Sequence, residues 1–470
     1  MDTTVTKTNP LGTERIGKLI LTFAVPSIIS MVVNALYNIV DQIFIGQGVG
    51  YLGNAATTVA FPIVSIVLAI ATLIGAGGSA YASIKLGEKR EREAQQTLGN
   101  VLTLSVLSGI VIAVIGLVFL KPILTLFGAT DANMEYSMQY AAIIFIGLPF
   151  NVLGISLSNM ARTDGSPALS MYSIVIGAVL NSILDPLYIF VFHWGVGGAA
   201  IATISSQILS ALVLLYYFWK KGKHMRFNKA DMRLQPHIVQ RVLSLGISSC
   251  ITQSAQAIMQ IILNNSLVYY GNLSTVGGDI ALSAMGIVLK ISMIIVAFCI
   301  GIGVVSQPIM GFNRGADQPR RIKKTYLLAV ASATIIVCIG WMICETIPHV
   351  ILQLFGHADQ AFTDFAVKAM RIYLFGIFTS GFQIVTTNYF QATGQPLKAS
   401  ILSTLRQLIL LIPLIVILPI FFGLDGILYA GPIADISSGI IVLLFALHEI
   451  KLLNAWIKRR VYNSEAILVN

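Results

Sequence analysis

The chain has 470 residues, of which 56% are hydrophobic and only 11% charged, with a mean hydropathy of +0.83, against about 25% charged residues in an average soluble chain. That is the composition of an integral membrane protein, so the formal charge of +10 reads as membrane topology rather than as a nucleic-acid surface. No Gly-x-x-x-x-Gly-Lys loop, no HExxH and no Ser/His/Asp grouping on a plausible loop occurs, which leaves ATP hydrolysis, metallo-hydrolysis and nucleophilic catalysis without residues and points away from an enzyme.

Met1 to Arg15 is polar, and the apolar run that follows is too long for a removable signal, so the first helix is expected to stay. Twelve apolar runs are long enough to cross about 30 Å of hydrocarbon. They lie near 18–46, 55–84, 97–120, 136–160, 169–192, 198–219, 239–270, 281–312, 325–352, 365–391, 399–421 and 427–450. The expected division is a cytoplasmic N-terminal segment 1–17, an N-terminal lobe 18–219, a basic cytoplasmic linker 220–238, a C-terminal lobe 239–450 and a cytoplasmic tail 451–470.

The first run carries one acid. Asn34, Tyr37, Asn38 and Asp41 fall at i, i+3, i+4 and i+7, one polar stripe on an apolar rod. An ionisable group at that depth costs roughly 2.5 to 3.5 kcal/mol even on the lenient insertion scale, so a function is the first reading and a structural hydrogen bond the second. Pro26 in the same helix is a candidate hinge. The fifth run carries a second acid: Asn181 and Asp185 share a face and precede Pro186, which loosens the helix around it. Asp41 lies roughly 35 Å along its helix from Lys18, and Asp185 roughly 24 Å along its own from Leu169. Both fall in the outer half and can meet. Two carboxylates in an apolar site cannot easily both be ionised, which suits uptake of a proton or a cation such as Na+. The sixth run adds Thr203, a weaker candidate in a small-residue stretch.

The second half answers with amides. Gln253, Gln256, Gln260 and Asn264 share one face of the seventh run and no acid joins them, so they read as substrate-cavity candidates together with Asn34 and Asn38. Lys290 and Asp435 each lie about ten residues from an outer helix end, so an ion pair between them is geometrically possible, and Arg406 can snorkel to the cytoplasmic surface. The four cysteines lie in apolar runs with no ligand spacing and read as inert; no metal site is expected beyond Na+ at Asp41 and Asp185.

The halves repeat. LFGATD at Leu126 to Asp131 returns as LFGHAD at Leu354 to Asp359, GSP at Gly165 to Pro167 as GQP at Gly394 to Pro396, and the basic loop from Gly87 through Thr97 aligns with Gly315 through Thr325. All three offsets are 228 or 229. Six helices per unit preserve orientation, so the fold class is all-α integral membrane, with twelve transmembrane helices in two parallel six-helix repeats. With a cytoplasmic N-terminus, 25 of the 30 basic residues fall on inside segments; both termini are therefore expected in the cytoplasm.

The duplicated plan, the first-helix stretch with Pro26, Tyr37 and Asp41, the Asn181-x-x-x-Asp185-Pro186 motif, the RTDGSP loop at Arg162 to Pro167 and Thr203 together resemble the multidrug and toxic compound extrusion (MATE) family of the MOP superfamily. The resemblance covers essentially the whole chain and is nearest to the bacterial branch with its cation site in the N-terminal lobe. It implies a multi-pass protein of the bacterial cytoplasmic membrane that exports lipophilic cationic drugs against inward H+ or Na+ by alternating access, with Asp41, Asp185, Asn181, Tyr37 and Thr203 as the coupling set. No cofactor besides the coupling ion, no nucleic acid, contact with membrane lipids and a monomeric state are expected. A lipid-linked oligosaccharide or polysaccharide flippase of related fold is the alternative, and the scattered buried basic residues argue against it.

Overall fold

The computed structural model describes residues 10–49, 51–127, 129, 133–353 and 360–469, except for some side chains, among them Asn34, Tyr37, Asn38 and those of 461–469. Every regular element among the described residues is helical. The long helices are α1 (Ile16–Gly48), α2 (Tyr51–Gly87), α3 (Glu91–Val118), α4 (Met134–Thr163), α5 (Pro167–Val191) and α6 (Gly195–Lys221). They are followed by α7 (Pro236–Asn272), α8 (Gly278–Gly315), α9 (Pro319–Thr346), α10 (Phe362–Tyr373 with Ile377–Ala392), α11 (Pro396–Phe422) and α12 (Leu424–Arg460). Eleven are long and apolar enough to cross a membrane, and the two pieces of α10, bent by 40°, make a twelfth as a broken span.

The helix starts follow local chemistry. Pro167, Pro319 and Pro396 occupy the first turns of α5, α9 and α11, where a missing N–H costs nothing. The turns before six helices take left-handed backbone at matching places: Gly165 (φ 77°) before α5 and Gly394 (φ 78°) before α11, Lys89 (φ 61°) before α3 and Asp317 (φ 55°) before α9, and Gly195 (φ 55°) and Gly423 (φ 58°) at the starts of α6 and α12. Each pair is separated by 228 or 229 residues, as are the short helices that begin at Leu120 and Pro348. The duplication is therefore written in backbone conformation as well as in sequence. The LFGATD and LFGHAD matches fall wholly or partly outside the described residues.

The chain forms two compact units, one holding Leu21–Ser254 and the other Ala255 onward with Arg15–Ile20. In the first unit α4 is central, packed on α2, α3 and α6. Small residues allow these approaches: a Cβ on Gly109 of α3 would meet the backbone of Pro149, and one on Gly177 of α5 would meet Ser210 of α6. In the second unit α8 packs against both α9 and α10.

Candidate functional site

The C-terminal end of α1 packs on the C-terminal end of α5 and the start of α6. Ile45, Ile189 and Ala199 form a buried cluster with Phe44 and Val49 against it, and the rings of Phe44 and Phe190 meet edge to face at 6.3 Å. Gly48 leaves the space that Ile189 and Phe190 fill. Asp41 lies one turn before this contact on α1 and Asp185 one turn before it on α5, so the packing sets both acids at one depth. Pro186 cannot donate a helical hydrogen bond, and the helix continues through it as a wide turn, Leu187–Val191, with five residues to the hydrogen-bonded repeat.

The result is a pair of carboxyls within hydrogen-bonding reach of each other, Asp41 with Asp185. Asp185 and Asn181 are 0% and 1% exposed, and Asn181 Nδ2 donates to Asp185 Oδ1 at 3.3 Å. One oxygen of each carboxyl, Asp41 Oδ1 and Asp185 Oδ2, is buried with no donor, as is Thr203 Oγ1 on α6. The antiparallel register of α5 and α6 follows from Ser210 Oγ donating to Ser173 O at 2.7 Å and from Gly198 lying against Tyr188. That register puts Thr203 level with Asn181. Buried acceptors that lack donors are costly, and two facing carboxyls are stable only with a proton or a cation between them. The oxygens therefore fit H+ or a small hard cation such as Na+, which takes oxygen ligands.

Of the other sequence-derived candidates, Tyr37, Asn34 and Asn38 have side chains outside the described residues. Pro26 lies inside an unbroken α1, where Ser30 Oγ donates to its carbonyl at 2.8 Å. On α7, Gln260 Nε2 donates to Asn264 Oδ1 at 2.9 Å, Gln253 is half-buried and Gln256 exposed.

The ion pair between Lys290 and Asp435 that the sequence allowed does not form. Asp435 is buried and bonded to Arg406 Nε, while Lys290 is exposed. The backbone carbonyl of Asp435 accepts from Thr379 Oγ1 and Gln383 Nε2, both at 3.0 Å, which locks α12 to α10. Arg406 therefore turns inward and does not snorkel. Sequence spacing put Lys290 and Asp435 at one depth but could not say which arc of each helix faces the other.

Two acids that the motif reading left without a role tie the ends of each unit. Asp164, in the α4–α5 turn, accepts from Tyr217 Oη (2.6 Å) and from the backbone N–H groups of Lys223, His224 and Met225 (2.8, 2.8 and 2.9 Å). In the second unit Glu449 on α12 accepts from Tyr389, Gln395 and Lys398. A turn acid before Gly-x-Pro was the only signal for the first; nothing local marked the second.

Comparison with known proteins places this geometry. A model of the MatE family matches residues 26–187 and 248–417, which include Asp41, Asn181, Asp185 and Arg406 but not Thr203 or Asp435. The multidrug export protein MepA of Staphylococcus haemolyticus is 27% identical over 424 residues, 89% of this chain and 91% of the relative. MepA of Staphylococcus aureus is 26% identical over 422 residues, 89% and 90%. Among solved structures, the MATE multidrug transporter DinF-BH, in a ligand-bound complex, is 36% identical with a TM-score of 0.86, over 93% of this chain and 96% of that one. An outward-facing multidrug resistance MATE family transporter of the MOP superfamily superposes with a TM-score of 0.89 at 23% identity, over 96% and 99%.

Proposed function

We propose, from the premise that the chain belongs to the MatE family of membrane transporters, that it is a multidrug efflux antiporter driven by H+ or Na+ at Asp41 and Asp185. The buried carboxyl pair, with one unpartnered oxygen on each acid and a third on Thr203 of α6, carries this reading. With the pair empty and ionised, repulsion favours separation of α1 from α5; with a proton or Na+ between the acids, the two helices draw together. Pro26 lets α1 bend, and the space available to the drug in the first unit shrinks. Drug and cation then favour different states, and each displaces the other only to the extent of its differential affinity. Lipophilic cations suit the acids and the Asn181 amide of the first unit, and the named relatives are multidrug export proteins and multidrug transporters. We propose a monomer in a bacterial cytoplasmic membrane, the latter from the staphylococcal relatives, with both termini inside on the distribution of basic residues.

Ethidium transport by the purified protein in proteoliposomes, with a pH gradient and a sodium gradient imposed separately, tests the coupling. Ethidium should move against its own gradient under at least one of the two. Movement only down the ethidium gradient, whatever ion gradient is applied, would make the protein a passive conduit.

A further inference from the structure

The repeat counterparts α3 and α9 differ in what covers their first three turns. On α3, Arg92 grips Asp231 of the linker with both terminal nitrogens, at 2.8 and 2.9 Å. Gln95 Nε2 donates to Arg226 O (3.0 Å), Thr103 Oγ1 to Met232 O (2.8 Å), and Asn100 Oδ1 accepts from Gln235 N (2.8 Å). Gly99 lies against the backbone of Asp231, where a Cβ would clash. This face thus holds a peptide that brings its own carboxylate, 1% exposed.

At the offset of 228, Arg92, Gln95, Gln96, Gly99, Asn100 and Thr103 become Arg320, Lys323, Lys324, Leu327, Leu328 and Ala331. The amides and hydroxyl that hold a peptide backbone are gone, replaced by cations at the helix end and aliphatic side chains deeper. A cavity of about 510 Å3 lies here, lined by Arg320, Lys323, Lys324, Leu327, Leu328 and Ile457 of α12. Lys323 is positioned by Asn454 Oδ1 at 2.8 Å. The first turn of α3 carries Glu91 and Glu93, whereas that of α9 carries no acid. Cations at the positive end of a helix dipole are unfavourable, and an anion there is favourable. Among the described residues no carboxylate lies against Arg320 or Lys324.

We propose that this groove binds an anionic glycerophospholipid, its phosphodiester on Arg320, Lys323 and Lys324 and an acyl chain along Leu327, Leu328 and Ile457. The residues run at i, i+3, i+4, i+7 and i+8 down one face, so charge gives way to hydrocarbon along the helix axis as it does along a lipid. Only the choice of leaflet rests on the orientation proposed above. In the first unit the linker's Asp231 fills the corresponding place; in the second, the lipid does.

Native mass spectrometry of the full-length protein in detergent tests this without any transport step. Phosphatidylglycerol should bind about tenfold more tightly than phosphatidylcholine. The Arg320→Gln/Lys323→Gln/Lys324→Gln variant should reduce that preference to about twofold or less. Leu328→Trp, which keeps every charge and fills the groove, should also weaken phosphatidylglycerol, by about fivefold. Millimolar glycerol 3-phosphate should not displace the lipid. Equal binding of the two lipids by the wild type, undiminished phosphatidylglycerol on both variants, or displacement by glycerol 3-phosphate would overturn the proposal. So would a gain of phosphatidylglycerol on removing residues 461–470, which would give the groove to the chain's own tail.

Discussion

Asp435 and Arg406 show how a buried charge behaves when its partner is fixed. The carboxyl is buried, bonded to the guanidinium, and its backbone carbonyl is held by Thr379 and Gln383. Replacing Asp435 by Ala leaves Arg406 without a counter-charge and should lower stability by about 3 kcal/mol, whereas Arg406→Leu/Asp435→Leu should recover most of that loss, because an apolar pair of similar volume dispenses with both desolvation costs. Unfolding in detergent followed by intrinsic fluorescence reads the difference; a double variant weaker than Asp435→Ala would contradict it. Asp41 and Asp185 are the opposite kind of site, with like charges face to face and open acceptors beside them. One buried pair is closed and structural, and the other is the one for which we propose an ion. The first pair joins consecutive helices, α11 and α12, and the second joins α1 to α5. Asp41 and Asp185 could be matched beforehand because each was the lone acid of its helix and the depths agreed; for Asp435, depth allowed a pair with Lys290 but could not show that Arg406 turns inward to meet it.

At the level of helices, small residues set the distances that make the site possible. Gly177 lets α6 approach α5 within reach of Ser210, whose hydroxyl bonds Ser173 O, and this register carries Thr203 to the height of Asn181. Gly177→Ala should cost about 1 to 3 kcal/mol by overpacking. Ser210→Ala added to it should restore much of the loss, since the new methyl would occupy the vacated space. A double-mutant cycle of thermal midpoints checks this, and strictly additive losses would refute the contact. The helices themselves were plain in the apolar runs, and the repeat in turns that need left-handed backbone, such as Gly165 and Gly394. The break in α10 was not. Tyr373 to Ile377 reads as continuous apolar chain, and only its packing, with Gly376 pressed on Pro432 and Asp435, shows where the helix bends. The wide turn after Asp185 was legible only as a proline, because a sequence marks where a helix is weakened without saying how it is repaired.

For the whole molecule, two duplicated units have been given different chemistry on one scaffold. The first has the acid pair; at the offset of 229 the second has Leu410 and Leu414 in place of Asn181 and Asp185. The tying acid has also changed sides, from the α4–α5 turn at Asp164 to α12 at Glu449. The inward placement proposed for both termini predicts that single cysteines at Thr6 and Ser464, in a background with the four native cysteines replaced, react with an impermeant maleimide only when the cytoplasmic face is accessible. Labelling of either one from outside intact cells would reverse the topology. Conversion of ion gradient into drug export is the central claim, and Asp41 is its most exposed point. Ethidium transport in proteoliposomes under the driving gradient, comparing wild type with Asp41→Asn at equal incorporation, tests it most directly: the account predicts loss of gradient-driven transport in the variant, and transport at the wild-type rate would contradict it.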